Sequence, residues 1–468
     1  MTRKEHRNNR SLLMPVYNKV GYYAAFVHRE EDIKEIMEAV LKDHCLIDCV
    51  YFVDNDLTLP ESLQLPCRHI TSAEEKVILS GQFVPLWVAD QAIFDDVLCG
   101  RHVAAMPRSA EVVPSFVCCF SCEKCAYKCV KQQMNLWHGS GNDNNAHEQN
   151  TRGAVTTKMD VQTAKTVMEK LHEAGVTEVS ITGGGEPLCN IPATLCCLEE
   201  ARKYGMDIGL YTNGFFLDKC CADLIRANPS FIRVSVYGFT PDAFSRYTGS
   251  PKSNYARVID NIKRLTQIRD AEGSSTKILL SMLISPDLTD RPERLEGFLN
   301  RFDAQTLASL NGIRFTPLIN YENNDLQMSR DYLERFFACV DTYKAEHPYP
   351  SIVCFKHRME MYESKPYTGC AGSALYIEVG PDAGVYFCCE HNLKPDYRIG
   401  DLLKESVADI WSRQTEKRCG MDTSQCPKVC KPHEYNKFIY QVAGLCDTEA
   451  ILNWGNALRM SESSGRVA

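Results

Sequence analysis

Between residues 112 and 318 the chain repeats one pattern of apolar and polar positions. A short, nearly unbroken apolar run is followed by a polar turn, then by a longer stretch whose apolar residues return every three or four positions. The runs predict strands at 112–117, 178–182, 208–211, 232–237, 278–284 and 313–318. The periodic stretches predict helices at 161–174, 191–203, 255–269 and 330–346. Strands apolar on both faces belong in a parallel sheet covered by helices. In such sheets, functional groups gather at the carboxyl ends of the strands.

The flanks read differently. Residues 1–108 predict a separate α/β unit: a helix at 31–41, a buried strand at 46–53 ending in Asp54-Asn55-Asp56, an apolar run at 83–88 and a helix at 91–98. This unit carries no chemical motif, and docking or covering of a substrate is the role expected of it. The repeating unit occupies 109–350. Within it, 136–153 is rich in Gly and Asn and too long for a tight connection, so a mobile loop, either lid or disordered insertion, is expected there. Residues 366–450 form a cysteine-rich unit with little regular structure beyond 374–379, 385–388 and 407–411, and 451–468 is a polar tail.

Composition narrows the function classes. With 468 residues the chain can bury more than one core, and 44% apolar with 24% charged residues describes a globular protein. A net charge of −8 offers no basic face for nucleic acid. No apolar run approaches the roughly 18 residues of a membrane span, and the basic start Met1-Thr2-Arg3-Lys4 is followed by no apolar signal core. A cytoplasmic protein bound to neither nucleic acid nor membrane is therefore expected. In that compartment thiols stay reduced, so the 23 cysteines are not a disulfide scaffold. Cys45, Cys67, Cys99 and Cys339 are scattered and read as small buried hydrophobes. Five others fall between Cys118 and Cys129, seven more between Cys370 and Cys446, and these two groups look like metal sites.

In the first group, Cys118-x3-Cys122-x2-Cys125 puts three thiolates on one short loop. They can hold three corners of a [4Fe–4S] cube and leave the fourth iron open, where most such clusters have four cysteines. Cys119 and Cys129 offer rival registers, and a structural zinc site is the alternative. After the next predicted strand comes Thr182-Gly183-Gly184-Gly185-Glu186-Pro187, a turn able to bring backbone close to a polar small molecule.

Over residues 112–318 these motifs resemble the radical S-adenosylmethionine (radical SAM) family. The resemblance implies a partial (β/α)6 barrel, here with an N-terminal α/β domain and a small cysteine-rich C-terminal domain. It implies that Cys118, Cys122 and Cys125 bind a [4Fe–4S] cluster whose open iron takes SAM, and that SAM is cleaved by one electron to a hydrogen-abstracting 5′-deoxyadenosyl radical. A flavodoxin- or ferredoxin-like protein would donate that electron. By the same resemblance Gly184, Gly185 and Glu186 contact the SAM amino group, and Ser235 in the fourth strand contacts its ribose or carboxylate. Thr212 and Asn213, at the end of the third strand, suit SAM as well, with ordinary turn chemistry as the alternative. The family usually has an aromatic residue before the third cysteine; here it is Lys124, which leaves Phe120 and Tyr127 as the nearby candidates for adenine packing.

The second group resembles the auxiliary-cluster extension of these enzymes, SPASM in its two-cluster form and twitch in its one-cluster form. Cys370, Gly384-x4-Cys389 and Cys426-x3-Cys430 match the pattern, but Cys419-x6-Cys426 replaces an expected CxxC whose first position is Glu416. The resemblance implies one or two auxiliary iron–sulfur clusters. Cys370, Cys389 and Cys430 would serve the nearer; Cys419, Cys426 and Cys446 would serve a farther one, and Cys388 is a spare. Zinc is again the alternative.

The expected substrate is a small natural product such as a sugar or aminocyclitol, undergoing dehydrogenation, elimination or epimerisation. The stretch 232–252 is similar to radical SAM amino-sugar deaminases, and the N-terminal unit alternates strand and helix where peptide-modifying members often carry a winged helix. A SPASM-type maturase of a ribosomal peptide is the alternative, and a non-catalytic iron–sulfur or zinc protein the alternative from another class. Tyr237, Tyr321, Glu390 and His391 are candidate substrate contacts, and Cys189 and Cys354 candidate hydrogen-atom donors for an epimerase.

Overall fold

The computed structural model describes residues 13–16, 19–34, 37, 46–60, 67–70, 106–127, 157–320, 325–347, 352–354, 370–391, 397–419, 426, 430, 432, 433, 435, 436 and 439. Near the N-terminus, β1 (Leu13–Val16), β2 (Lys19–Val27), β3 (Leu46–Val53) and β4 (Cys67–Ile70) form a sheet in that order. The first pair is antiparallel and the other two are parallel. Parallel neighbours need a crossover, which fits the α/β pattern of this unit. Residues 30–34 and 37 are helical, whereas 83–88 and 91–98 lie outside the described residues.

The larger sheet positions the site. β5 (Ser109–Val112), β6 (Glu178–Ile181), β7 (Asp207–Thr212), β8 (Phe231–Val236), β9 (Lys277–Ile284) and β10 (Gly312–Pro317) lie side by side in chain order, all parallel. A short antiparallel pair follows, β11 (Ile319–Asn320) and β12 (Asp325–Leu326). Then β13 (Ile352–Cys354) adds a further parallel strand beside β10. One face of each strand packs on the helices: Ile181, Leu210, Val234, Leu280 and Phe315 share a single core with Ala164, Val167, Met168 and Leu171 of the helix Val161–Glu173. That helix starts where predicted because the Asp160 side chain accepts the Thr163 N–H, an N-cap that also holds the Asp160 carboxyl below the usual carboxylate range. Two outer helices match their predicted bounds residue for residue, Ile191–Lys203 and Arg330–Glu346.

Two expectations change. The first barrel strand is Ser109–Val112, not 112–117, because Pro114 has no N–H to donate to a ladder. The apolar run continues as bent, buried chain: Phe116 N donates to Thr157 O at 2.9 Å and Met159 N to Pro114 O at 3.0 Å. Nor is the cysteine-rich part short of regular structure. β14 (Tyr376–Val379) pairs in parallel with β5, Tyr376 opposite Ser109 and Val379 opposite Val112, so this segment extends the barrel sheet. β15 (Gly384–Tyr386) and β16 (Arg398–Asp401) continue it antiparallel. The helix predicted at 407–411 runs Val407–Cys419, and buried Trp411 donates its indole N–H to Ala374 O at 2.9 Å. Among the described residues no helix is long and apolar enough to cross a membrane.

Arg269 shows how the barrel's outer seam is held. Its guanidinium, 9% exposed, donates to Thr276 O at 3.1 Å, to Asn311 Oδ1 at 2.9 Å and to Ser309 O. Arg269→Ala removes every donor at once and leaves buried acceptors behind. A loss of about 2–3 kcal/mol in urea unfolding is expected.

Candidate active site and cluster-binding cysteines

The glycine run lies directly beneath the chain that enters the three-cysteine loop. A Cβ on Gly185 would stand 2.4 Å from Val117 O and 2.6 Å from Ser115 O, so no side chain fits there. One on Gly183 would meet Gly185 O at 2.6 Å. The next residue, Glu186, donates its N–H to Val117 O at 2.8 Å. Glycines therefore let two loops from neighbouring strands meet backbone to backbone.

The cysteine loop itself rides on the end of the helix Pro241–Thr248. Ser121 N donates to Thr248 O at 2.8 Å and Glu123 N to Tyr247 O at 2.7 Å, using carbonyls that a helix end leaves without intrahelical partners. Gly249 permits this approach, since a Cβ there would lie 2.2 Å from Ser121 Oγ. Within the loop, Cys125 N donates to Cys122 O at 3.3 Å. Cys118, Cys119, Cys122 and Cys125 are all half-buried. Phe120 is not available for adenine: it is 2% exposed, edge-on to Phe215 at 5.7 Å and to Phe244 at 5.5 Å, and anchors the loop in the core. Lys124 pairs with Glu123 at 3.1 Å.

Glu186 turns inward. Its Oε1 accepts from Leu188 N at 3.1 Å and from the Thr212 hydroxyl at 2.6 Å, and its Oε2 accepts from Asn213 N at 2.7 Å. Burial pushes its carboxyl up to about 7 against the pull of these three donors, and the nearby Cys118 adds to the rise. Asn213 continues the network: Oδ1 accepts from Phe215 N at 3.0 Å, and Nδ2 reaches Cys119 Sγ at 3.3 Å and Cys118 Sγ at 3.9 Å. The structure thus joins Glu186, Thr212, Asn213 and Cys118 in one constellation, with Thr212 and Asn213 also performing the turn chemistry that was their alternative reading. Cys189 bonds the Cys119 thiol, whose pKa is raised by its bonds to Cys118 and Cys189 and by burial. Ser235 bonds the Tyr237 hydroxyl, and Tyr237 lies among the sulfurs of Cys122, Cys118 and Cys125, which together with burial push its phenol up.

Of the inner face of the barrel strands, sequence reading found only Ser235. Residues that alternate with the core-facing ones include Glu111 on β5, Ser180 on β6, Tyr211 on β7, Arg233 and Ser235 on β8, Ser281 on β9 and Arg314 on β10. Register sets Glu111 beside Ser180, Tyr211 beside Arg233, and Ser235, Ser281 and Arg314 in one row. The Arg233 guanidinium lies 3.9 Å above the Tyr211 ring. The signal was present as polar residues spaced by two inside apolar strands, as in Ile232-Arg233-Val234-Ser235-Val236.

The C-terminal cysteines approach the same end of the molecule. Tyr127, two residues past Cys125, donates its hydroxyl to Cys389 O at 3.1 Å, so its hydroxyl is committed to this region. The Gly-x4-Cys spacing has a local cause: Gly384 closes the turn between β14 and β15, and a Cβ there would meet Asp382 Oδ1 at 2.8 Å and the Arg398 side chain at 2.9 Å. Cys370, Cys388 and Cys430 are buried, and Cys389 and Cys426 half-buried. Burial pushes both Cys388 and Cys389 thiols up, with Cys370 near Cys388. Ring stacking holds His391 on Tyr397 at 3.9 Å, a structural contact. The side chains of Cys419 and Cys354 and all of Cys129, Tyr321, Cys446, 136–153 and 451–468 lie outside the described residues.

Comparison with known proteins bears on this geometry. The model of the radical SAM superfamily matches residues 112–297, and that of an iron–sulfur cluster-binding domain, SPASM, matches 370–432. The chain belongs to the radical SAM superfamily. It carries a radical SAM domain and a C-terminal SPASM domain, and [4Fe–4S] clusters and SAM are the cofactors that belong with these domains. A probable GTP 3′,8-cyclase of Pyrobaculum aerophilum is 31% identical over 156 residues, 33% of this chain and 44% of that protein. The chain thus spans less than half the length of this curated relative. Among solved structures, Streptococcus suis SuiB bound to S-adenosylmethionine aligns with a TM-score of 0.47 at 13% identity over 65% of each chain. BtrN in complex with AdoMet and 2-DOIA aligns with a TM-score of 0.33 at 13% identity, over 68% of this chain and 88% of that one.

The residues present fit the radical SAM cofactors. Among the described residues no three Cys, His, Asp or Glu side chains converge as on a single ion. Three half-buried thiols on one backbone-pinned loop, Cys118, Cys122 and Cys125, are the donor chemistry that a [4Fe–4S] cube takes. The glycine turn beneath them lets the chain that carries the thiols pack directly on the next strand end, since a Cβ on Gly185 would strike Val117 O and Ser115 O.

Proposed function

We propose that this radical SAM enzyme cleaves SAM reductively at Cys118, Cys122 and Cys125 and abstracts hydrogen from a small, polar natural product, a sugar, aminocyclitol or similar molecule, held inside the barrel. When bound, the cluster and SAM supply the 5′-deoxyadenosyl radical. The observation that carries the substrate class is the inner face: Glu111 at one side, Arg314 at the other, and Ser180, Arg233, Ser235 and Ser281 on the strands between them. Hydroxyls and fixed charges of both signs suit a molecule dense in hydroxyl and amino groups, which desolvates favourably only where each polar group finds a partner. Around it, Gly185 and Glu186 hold the cysteine loop against the strand ends, and Tyr237 with Ser235 closes the wall beside Cys122. The N-terminal sheet, of mixed β topology, supports the same preference over a peptide-binding winged helix. Residues 1–108, 109–350 and 366–450 are read as the three functional units.

Anaerobic purification, cluster reconstitution and addition of SAM with dithionite test the first half. Iron equal to at least two [4Fe–4S] clusters per chain, with 5′-deoxyadenosine formed, is expected. Bound zinc with no SAM cleavage would leave a structural metal protein. For the second half, deuterium from ring-deuterated amino sugars or aminocyclitols should appear in 5′-deoxyadenosine. Transfer from a ribosomal peptide instead would assign the chain to the maturases.

A further inference from the structure

Two side chains that are not themselves ligands point hydrogen-bond donors at the sulfurs of the C-terminal site. Tyr376, fully buried on β14, accepts the Cys389 N–H at 3.0 Å and donates its hydroxyl to Cys389 Sγ at 3.5 Å; it also bonds the Cys388 thiol. On the other side Asn436, 1% exposed, donates Nδ2 to Cys370 Sγ at 3.2 Å while its Oδ1 accepts Gly372 N at 2.7 Å. Neither can turn away. Tyr376 is locked in a sheet and by the edge of Tyr435, and Asn436 by contact so close that a Cβ on Gly372 would reach the neighbouring Pro432 O at 2.8 Å.

A cluster gains negative charge on reduction and shares it with its thiolate sulfurs. A donor aimed at such a sulfur stabilises the reduced form more than the oxidised one, and hydrogen bonding of this kind is among the terms that spread cluster potentials over roughly −700 to +450 mV. Burial strengthens the effect, since water cannot replace the lost donor. We propose that Tyr376 and Asn436 are positioning residues that raise the reduction potential of the auxiliary cluster. This rests on the reading of Cys370 with Cys389, or its neighbour Cys388, as ligands. Tyr127 serves as the internal contrast, because its hydroxyl meets the Cys389 carbonyl and no sulfur.

The test uses the full chain with Cys118→Ala, Cys122→Ala and Cys125→Ala, so that iron remains only at the C-terminal site. EPR-monitored redox titration then compares Tyr376→Phe, Asn436→Asp and Tyr127→Phe. Tyr376→Phe should weaken reduction by roughly three- to tenfold, about 59 mV downward at the upper end for one electron. Asn436→Asp, which keeps the bond to Gly372 but replaces the donor with a carboxylate oxygen, should move it the same way or farther. Tyr127→Phe should move it least. Unchanged potentials in both main variants, with iron retained, would overturn the proposal; should Tyr376→Phe lose its iron, Asn436→Asp decides alone. Changing Cys388 and Cys389 together to Ala separates the two readings: iron retained there would remove the ligand assignment, whereas iron lost with potentials unmoved elsewhere would remove only the tuning.

Discussion

Replacing Cys122 by Ala is expected to abolish formation of 5′-deoxyadenosine and to remove about four irons per chain, leaving the auxiliary iron in place. The expected loss is total because the loop offers three thiolates for three corners, and a cube held by two has no fixed orientation toward SAM. The loop's fold should survive the change. Its attachments are the backbone N–H groups of Ser121 and Glu123 on the carbonyls of Thr248 and Tyr247, together with the buried ring of Phe120. Rescue by the adjacent thiol is not expected, since the Cys119 thiol is turned to Cys189. Cys119→Ala is therefore the matched control and should retain cleavage. Iron counting and chromatography of 5′-deoxyadenosine on both variants decide the register. Cleavage lost in Cys119→Ala as well would transfer the site to the rival spacing Cys119-x2-Cys122, and cleavage that survives Cys122→Ala would remove the loop assignment altogether.

Most of the barrel was legible because its strands are short apolar runs between strongly amphipathic helices, a signal carried locally by side-chain spacing. The errors have two sources. The segment 113–117 is as apolar as a strand, and Pro114 was the local sign against a ladder there; what buries it is the glycine run crossing beneath it, a contact between residues about seventy positions apart that no local window contains. Strand Tyr376–Val379 was recognised as regular, but its seat beside Ser109–Val112 depends on a register set across more than 260 residues. At the site, spacing disclosed the cysteine triplet and the glycine turn because each is contiguous. The inward turn of Glu186, the placement of Tyr127 against Cys389 and the Tyr376 bond to its sulfur are all products of tertiary packing, and nothing in their immediate neighbours marks them.

Glu186 yields the second large effect. Glu186→Ala strips the acceptor from the Leu188 N–H, the Thr212 hydroxyl and the Asn213 N–H in a place where the native side chain is only 2% exposed. Each donor buried without a partner costs about 1–3 kcal/mol, and since the Thr212 hydroxyl can rotate, a total near 3–5 kcal/mol is expected in urea unfolding. Asn213 would lose its anchor, and with it the placement of Nδ2 against the cysteine sulfurs. Glu186→Gln is the subtler probe, because it keeps the volume and removes the titration. Burial raises the native carboxyl from 4.5 to about 7. Between those values the native chain keeps a proton that the unfolded chain releases, so native stability falls as pH rises across that window, by roughly 3 kcal/mol in all. Below about 4.5 both states are protonated and above about 7 both are ionised, so the contribution is flat outside it. Urea titrations of the metal-free chain at several pH values should show this slope in the wild type and lose it in Glu186→Gln. A slope that persists in the variant would locate the titrating group elsewhere and leave Glu186 ionised throughout, held so by its three donors.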